Sequence, residues 1–192
     1  MRHRVLYVPT CLSFAVVVSI AALAEAQPTA PGPYYVPPAW DTTLPAATRY
    51  INLSNMNSEA VLVRETGLVW ERQPSNAPHT WTFADSQCRD AVIGGRRGWR
   101  LPRLEELQSL MDPSTAAPAL PPGHPFVVAP ILHTVSVFSA TTIPPSALPQ
   151  ESRVVRMVSL ATGESSLGGS VPQSELFNTL GARWCVRGGA PQ

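Results

Sequence analysis

Apolar residues recur at helical spacing in two separate stretches of the chain. In each stretch they recur every three or four positions, a stripe typical of a helix that packs one face against a core. The first helix should end at Gly94-Gly95 and the second at Asp112-Pro113, because glycine and proline stop helices. The two apolar faces consist of Trp81, Ala84, Cys88, Ala91 and Val92 in the first stretch and of Leu104, Leu107, Leu110 and Met111 in the second.

Shorter apolar runs predict β-strands on both sides of these helices. Before the helices, the segment AVLVRETGLVWERQ has two such runs around Glu65-Thr66-Gly67, as expected for two strands joined by a turn. After them, the segments TVSVFSATT, SRVVRMVSLATG and ARWCVRGG predict further strands. Residues 113–134 and 161–180 are predicted to be long loops. Strands, helices, a loop and more strands in this order predict an α+β fold.

The N-terminus, residues 1–26, predicts a secretory signal peptide. Arg2 and Arg4 precede an almost wholly apolar run, and Ala24-Glu25-Ala26 places small residues where a signal peptidase cleaves. A transmembrane anchor is the alternative, because the apolar run approaches the length that spans a membrane. Cleavage would leave an exported protein, either periplasmic or secreted to the cell surface of a bacterium.

A proline-rich arm, residues 27–47, follows the predicted signal peptide. Its composition predicts extended, polyproline-like backbone. The aromatic residues Tyr34, Tyr35 and Trp40 either strap this arm to the domain or form a partner motif, and we favour the strap. The globular domain is expected to cover residues 48–190.

The charge of the chain does not indicate a particular class of partner. The full chain has a formal net charge of +1, and all of its 14 basic residues are arginine. Removal of residues 1–26 takes away Arg2, Arg4 and Glu25 and leaves the mature chain formally neutral. We therefore expect no nucleic-acid partner and no insertion into a membrane after signal cleavage.

Two cysteines, Cys88 and Cys185, remain after signal cleavage. In an exported protein an even pair of cysteines predicts a disulfide. A reactive thiol or a metal-binding pair is the alternative, but neither cysteine has a histidine or a second cysteine at ligand spacing.

Arginines are concentrated in the segment that joins the two predicted helices. This segment could bind an anionic ligand or hold a corner of the fold, because the guanidinium group carries a planar fork of hydrogen-bond donors. Arg96 and Arg97 lie between glycines and are expected to be exposed. Glu105 and Glu106, close by in sequence, weaken any positive patch.

The order of several motifs resembles the Lcl C-terminal domain family, also called DUF1566. The motifs are ETGLVWER, the spacing of Trp81, Ala84 and Cys88, and then GWRLPRLEELQSLMD, FSATT, TG and RWCVRGG. The family resembles the C-type lectin-like fold. The resemblance implies two helices that flank small antiparallel sheets, long binding loops, and a disulfide from Cys88 on the first helix to Cys185 on the last strand.

By the same resemblance, Trp99-Arg100-Leu101-Pro102 forms a structural corner that leads into the second helix. Trp99 and Leu101 are then buried, and Arg100 bonds to carboxylates or to loop carbonyls. Glu106 belongs to the same corner. Phe138 stands where the family usually has Trp or Tyr before FSATT. The carboxylate and amide triplets that bind calcium in C-type lectins are absent.

Familiar catalytic and metal-binding patterns do not occur in the sequence. His79, His124 and His133 are scattered without helical pairing, and there is no Gly-x-Ser-x-Gly nucleophile motif. We therefore expect no metal, no cofactor and no enzymatic activity.

The resemblance implies a recognition module. The adhesin that gives the family its name binds sulfated polysaccharide, so an anionic glycan at Arg96 and Arg97 is the ligand that the resemblance suggests. The long loops could instead bind another glycan or an envelope or surface protein. A structural subunit of a cell-envelope assembly and an enzyme with an unrecognised site are the alternatives.

Overall fold

The structure, a computed structural model, describes residues 29–30, 44–75, 77–143, 154–168 and 180–189. The predicted signal peptide and the aromatic residues of the arm lie outside these residues. The fold is α+β, as predicted. Its helices in the described part of the chain are α1 (Ala46–Arg49), α2 (Trp81–Asp90) and α3 (Leu104–Leu110), with 3-10 turns at Ser54–Met56 and Pro130–His133.

The described strands form two sheets. In chain order they are β1 (Thr29–Ala30), β2 (Tyr50–Leu53), β3 (Ala60–Val63), β4 (Leu68–Glu71), β5 (Trp99–Arg100), β6 (Ser136–Ile143), β7 (Val154–Ser159), β8 (Ser165–Gly168) and β9 (Val186–Arg187). One sheet has the order β1-β2-β3-β4-β9-β5 and the other β6-β7-β8. The pairing of β1 with β2 is parallel, and the other pairs are antiparallel. The last strand, β9, therefore lies inside the larger sheet and joins β5 to the rest.

Strand β3 of the larger sheet is buried on both faces. Val61 and Val63 of β3 pack into one apolar cluster, with Trp70 and Trp184, whereas Ala60 and Leu62 pack into a second. All four residues of β3 are buried, as expected for a strand that is covered on both sides. The cluster around Leu62 also contains Cys88 and Trp99, so it supports α2 and β5.

The predicted helices are present, but α2 ends earlier than the sequence indicated. Thr80 caps α2 by accepting a hydrogen bond from the Phe83 N–H. The helix ends at Asp90, because Ala91 adopts extended backbone. Gly94 and Gly95 form a separate turn instead of a helix cap, and Val92 is 53% exposed rather than part of the apolar face.

One of the two predicted long loops contains a strand. Ser165–Gly168 forms β8 and pairs with β7 at the edge of the smaller sheet. Sequence patterning missed this strand because three of its four residues are exposed, two of these are serines, and the segment shows no alternation of apolar and polar residues. The other predicted loop, residues 113–134, has no strand and contributes Leu120, Phe126 and Leu132 to the core.

The predicted disulfide is confirmed. Cys88 on α2 is bonded to Cys185, which directly precedes β9, and both cysteines are fully buried. The bond therefore fixes the helix to the C-terminal strand of the larger sheet. It is compatible with an exported protein, because disulfides persist in oxidising compartments.

Candidate functional site

The segment between α2 and β5 forms a tight turn that we call the arginine loop, residues 93–98. Ile93 and Arg96 exchange backbone hydrogen bonds of 3.1 and 3.0 Å. Between them, Gly94 and Gly95 have φ angles of +58° and +68°, which glycine adopts without strain. A Cβ on Gly94 would also lie 2.4 Å from the Cβ of Met56. Glycine at position 94 is therefore required by both backbone conformation and space.

Side chains from the surrounding structure hold the backbone of the arginine loop. The carboxylate of Glu59 accepts a hydrogen bond of 2.6 Å from the Gly94 N–H. The Trp99 indole N–H donates to the Arg96 carbonyl at 2.8 Å, and the Arg187 Nε–H donates to the Arg97 carbonyl at 2.9 Å. Trp99 and Arg187 are cross-strand neighbours in β5 and β9. The loop is therefore fixed to the sheet at both of its arginines.

The side chains of Arg96 and Arg97 have no partner in the part of the chain that the structure describes. Both residues are exposed, and neither guanidinium group forms an ion pair or a hydrogen bond with the residues that the structure describes. Arg187 lies beside them, held through Nε, and likewise has no carboxylate partner in this part of the chain. The loop thus carries unneutralised positive charge on a rigid backbone.

Arg100, in contrast, is fully occupied by structural contacts. Its two Nη groups donate to the two carboxylate oxygens of Glu106 at 2.8 and 2.7 Å, and further bonds reach the carbonyls of Leu101 and Gly188. Glu106 also accepts from the Arg103 N–H at the start of α3. This bidentate pair joins β5, α3 and the C-terminal segment, so Arg100 holds the corner together.

The other residues predicted for the corner lie beside Arg100. Trp99 is 2% exposed and Leu101 is fully buried, both in the apolar cluster under α2. Pro102 is buried, and its carbonyl accepts a hydrogen bond of 2.7 Å from the Ala140 N–H of β6. The corner therefore connects the larger sheet to the smaller one, while Arg96 and Arg97 project from the turn that precedes it.

Glu71, at the end of β4, is a buried carboxylate next to the disulfide. It accepts hydrogen bonds from Arg183 at 3.0 Å and from the Cys185 N–H at 3.1 Å. Burial raises the pKa of Glu71 to about 6, although the charge of Arg183 and the Cys185 N–H oppose this rise. Glu71 thus changes protonation state in mildly acidic solution.

His79 and His124 contact different partners. His79 Nε2 lies 3.0 Å from the Ser75 hydroxyl, and His124 stacks on Phe126. Burial lowers the pKa of both histidines. Within the described ranges no group of three or more His, Cys, Asp or Glu side chains could hold a metal ion.

Sequence reasoning missed two residues that position the arginine loop. Arg187 belongs to the RWCVRGG motif, but its bond to Arg97 depends on the pairing of β9 with β5, which joins positions 90 residues apart. Glu59 precedes β3 and reaches Gly94 across 35 residues. A local pattern of polar and apolar residues does not predict such long-range contacts.

No helix in the described part of the chain is long and apolar enough to cross a membrane.

Comparison with known proteins places this domain in a family. No curated protein and no solved structure matches the chain, so the C-type lectin-like fold stays a prediction. Residues 59–187 match the family described as the Lcl C-terminal domain. This range includes the hairpin of β3 and β4, the arginine loop, the corner and both cysteines. The chain therefore belongs to the Lcl C-terminal domain family.

Proposed function

We propose that this protein is an exported, non-catalytic recognition module that binds sulfated polysaccharide through the arginine loop. The observation that carries the proposal is a contrast within one short segment. The backbone at Arg96 and Arg97 is fixed, whereas their guanidinium groups have no partner among the described residues. Guanidinium groups bind tetrahedral oxyanions by charge-assisted, bidentate hydrogen bonds. A fixed loop loses little conformational entropy when it binds. Membership of the Lcl C-terminal domain family suggests a secreted or surface-associated domain.

The first experiment measures binding of the purified protein to a glycan array that includes heparin-like and other sulfated chains. Binding should weaken as salt rises from low to physiological concentration, since counterions compete for the arginines. Removal of calcium should have no effect, because the calcium-binding triplets are absent from the sequence.

The double substitution Arg96→Ala/Arg97→Ala tests the site itself. Affinity for sulfated chains should fall, and the slope of log affinity against log salt should decrease by about one for each arginine removed. Arg64→Ala/Arg89→Ala is the matched control, since it removes the same charge from two other exposed positions, one of them already paired with Asp85. Equal losses in both double variants would contradict a site at the loop. Absence of binding at either salt would contradict the proposed function and favour a protein partner.

A further inference from the structure

A cleft of about 420 Å³ lies next to the arginine loop. Its walls come from the turn before β3, the end of β4, residues 92–93 and Val127. The volume lies within the range of small-molecule sites, roughly 300–1,000 Å³. Ile93 belongs to both the cleft and the loop, and Glu59, which also lines the cleft, holds the Gly94 N–H. The cleft and the loop therefore share a wall.

The polar groups of the cleft match a ligand that both donates and accepts hydrogen bonds. Asn57 and Gln73 are exposed, and their side-chain amides make no hydrogen bond to the described residues. Only one of the two carboxylate oxygens of Glu59 accepts a hydrogen bond from the described residues. Arg72 donates through Nε to the Pro125 carbonyl. Hydroxyl groups satisfy such a mixture, because each one donates once and accepts twice.

The cleft also presents an apolar surface. Val92 and Val127, both in its lining, are 53% and 45% exposed. A ligand with hydroxyl groups on its edges and C–H groups on its faces covers these valines while it bonds to the amides. A sugar ring has this distribution of polar and apolar groups.

The cleft has charges of both signs, unlike the arginine loop. Glu59, Glu71 and Arg72 line it, and Glu71 is paired with Arg183. Arg72 donates to the carbonyls of Pro125 and Ser58. Because these charges nearly balance, the cleft favours uncharged polar groups, whereas Arg96 and Arg97 present positive charge that no carboxylate among the described residues pairs.

We propose that the cleft is a sugar subsite, which takes an unsulfated ring of the same glycan whose sulfate groups contact the arginine loop. This inference rests on the proposed function and deepens it. The protein would then recognise two features of the glycan: a sulfate group and an adjacent ring with free hydroxyls.

The test compares two probes that share sulfate esters but differ in sugar rings: a hexasaccharide in which 6-sulfated and unsulfated galactose rings alternate, and polyvinyl sulfate. The cleft variant is Asn57→Gly/Gln73→Ala. Glycine suits position 57, where φ is +54°, so this variant removes the two amides without straining the backbone. The loop variant is Arg96→Ala/Arg97→Ala. Thermal unfolding of each variant verifies that the fold is intact.

We expect the cleft variant to bind the hexasaccharide about tenfold more weakly, the loss expected for two hydrogen bonds, and to bind polyvinyl sulfate as the wild type does. The loop variant should lose affinity for both probes. In ¹⁵N spectra of the wild type, the side-chain amides of Asn57 and Gln73 should shift with the hexasaccharide and not with polyvinyl sulfate.

Other outcomes overturn the subsite in distinguishable ways. If the cleft variant binds the hexasaccharide normally while the loop variant does not, the subsite is wrong and the proposed function stands. Equal losses for both probes in the cleft variant also contradict the subsite, since polyvinyl sulfate has no ring to place there. If the wild type binds neither probe, the proposed function fails and the subsite fails with it.

Discussion

Arg96 and Arg100 lie four positions apart and have opposite environments. The side chain of Arg100 is 19% exposed, and its guanidinium pairs with both oxygens of a nearly buried Glu106, whereas the side chain of Arg96 extends into solvent. The difference arises from strand geometry, because Arg100 belongs to β5 and faces α3, while Arg96 belongs to the turn before it. Residue type alone therefore does not decide which arginine is structural.

Arg100→Ala should lower the free energy of unfolding by about 2–3 kcal/mol, because it leaves the Glu106 carboxylate without its partner in a largely buried position. Arg96→Ala is the matched control and should change it by less than about 0.5 kcal/mol. Urea denaturation of the two variants measures both values. Equal effects would show that the corner does not depend on this ion pair.

Glu71 should make stability depend on pH between about 4.5 and 6. Its pKa is about 6 in the folded protein, whereas the ordinary pKa of a glutamate, expected in the unfolded chain, is 4.5. The folded state therefore binds the proton more tightly. Protonation therefore favours folding, and this contribution is lost as the pH rises through the window. Relative to Glu71→Gln, the wild type should lose about 2 kcal/mol of unfolding free energy between pH 4 and pH 7.

Chemical denaturation of the wild type and of Glu71→Gln across this pH range provides the measurement. His79 and His124 have lowered pKa values and act in the opposite direction, but they are present in both proteins and cancel in the difference. A difference that stays constant with pH would mean that Glu71 titrates near its ordinary value.

At the level of elements, local patterns predict much of the fold. The hairpin of β3 and β4 follows from two apolar runs around a turn, and α2 and α3 follow from apolar residues at helical spacing. Strand β8 cannot be predicted in this way, because its edge position leaves three of its four residues exposed. The position of β9 between β4 and β5 depends on contacts between distant parts of the chain, which no local pattern encodes.

The candidate site also has features that local sequence predicts and features that depend on long-range contacts. The arginines and the corner motif are visible in the sequence, because they are concentrated in one segment. The bonds that fix the loop come from Glu59 and Arg187, far away in the chain, so the rigidity of the loop follows only from the folded structure.

The turn of the arginine loop offers a test with a neighbouring control. Gly94→Ala places a Cβ 2.4 Å from Met56 and also strains the backbone, whereas Gly95→Ala meets nothing within 4 Å and only strains the backbone. We expect Gly95→Ala to destabilise the protein by roughly 1 kcal/mol and Gly94→Ala by clearly more. Thermal or urea unfolding of the two variants compares them directly. Similar effects would contradict the close packing of Gly94 on Met56.

At the scale of the whole molecule, the disulfide is the longest covalent constraint in the described structure. It closes a segment of 97 residues that contains the arginine loop, the corner and the smaller sheet. A cross-link stabilises mainly by restricting the unfolded chain, and the effect grows with the length of the closed segment.

Labelling of the unreduced protein in denaturant should modify neither Cys88 nor Cys185, as peptide mapping by mass spectrometry would show. The replacement Cys88→Ala/Cys185→Ala should lower the free energy of unfolding by roughly 4–5 kcal/mol in the chain-entropy description. Modification of both cysteines before reduction would contradict the disulfide.

The same bond determines how the domain carries mechanical load. If a ligand on the arginine loop is pulled against the C-terminal end of the domain, the covalent path runs from Arg96 back to Cys88 and through the bond to Cys185. The 89 positions from Arg96 to Cys185 are bypassed. Fully extended, they would span roughly 290–320 Å, and this extra length is unavailable while the bond is oxidised. The oxidised domain therefore acts as a short tether that holds its ligand at a nearly fixed distance under tension.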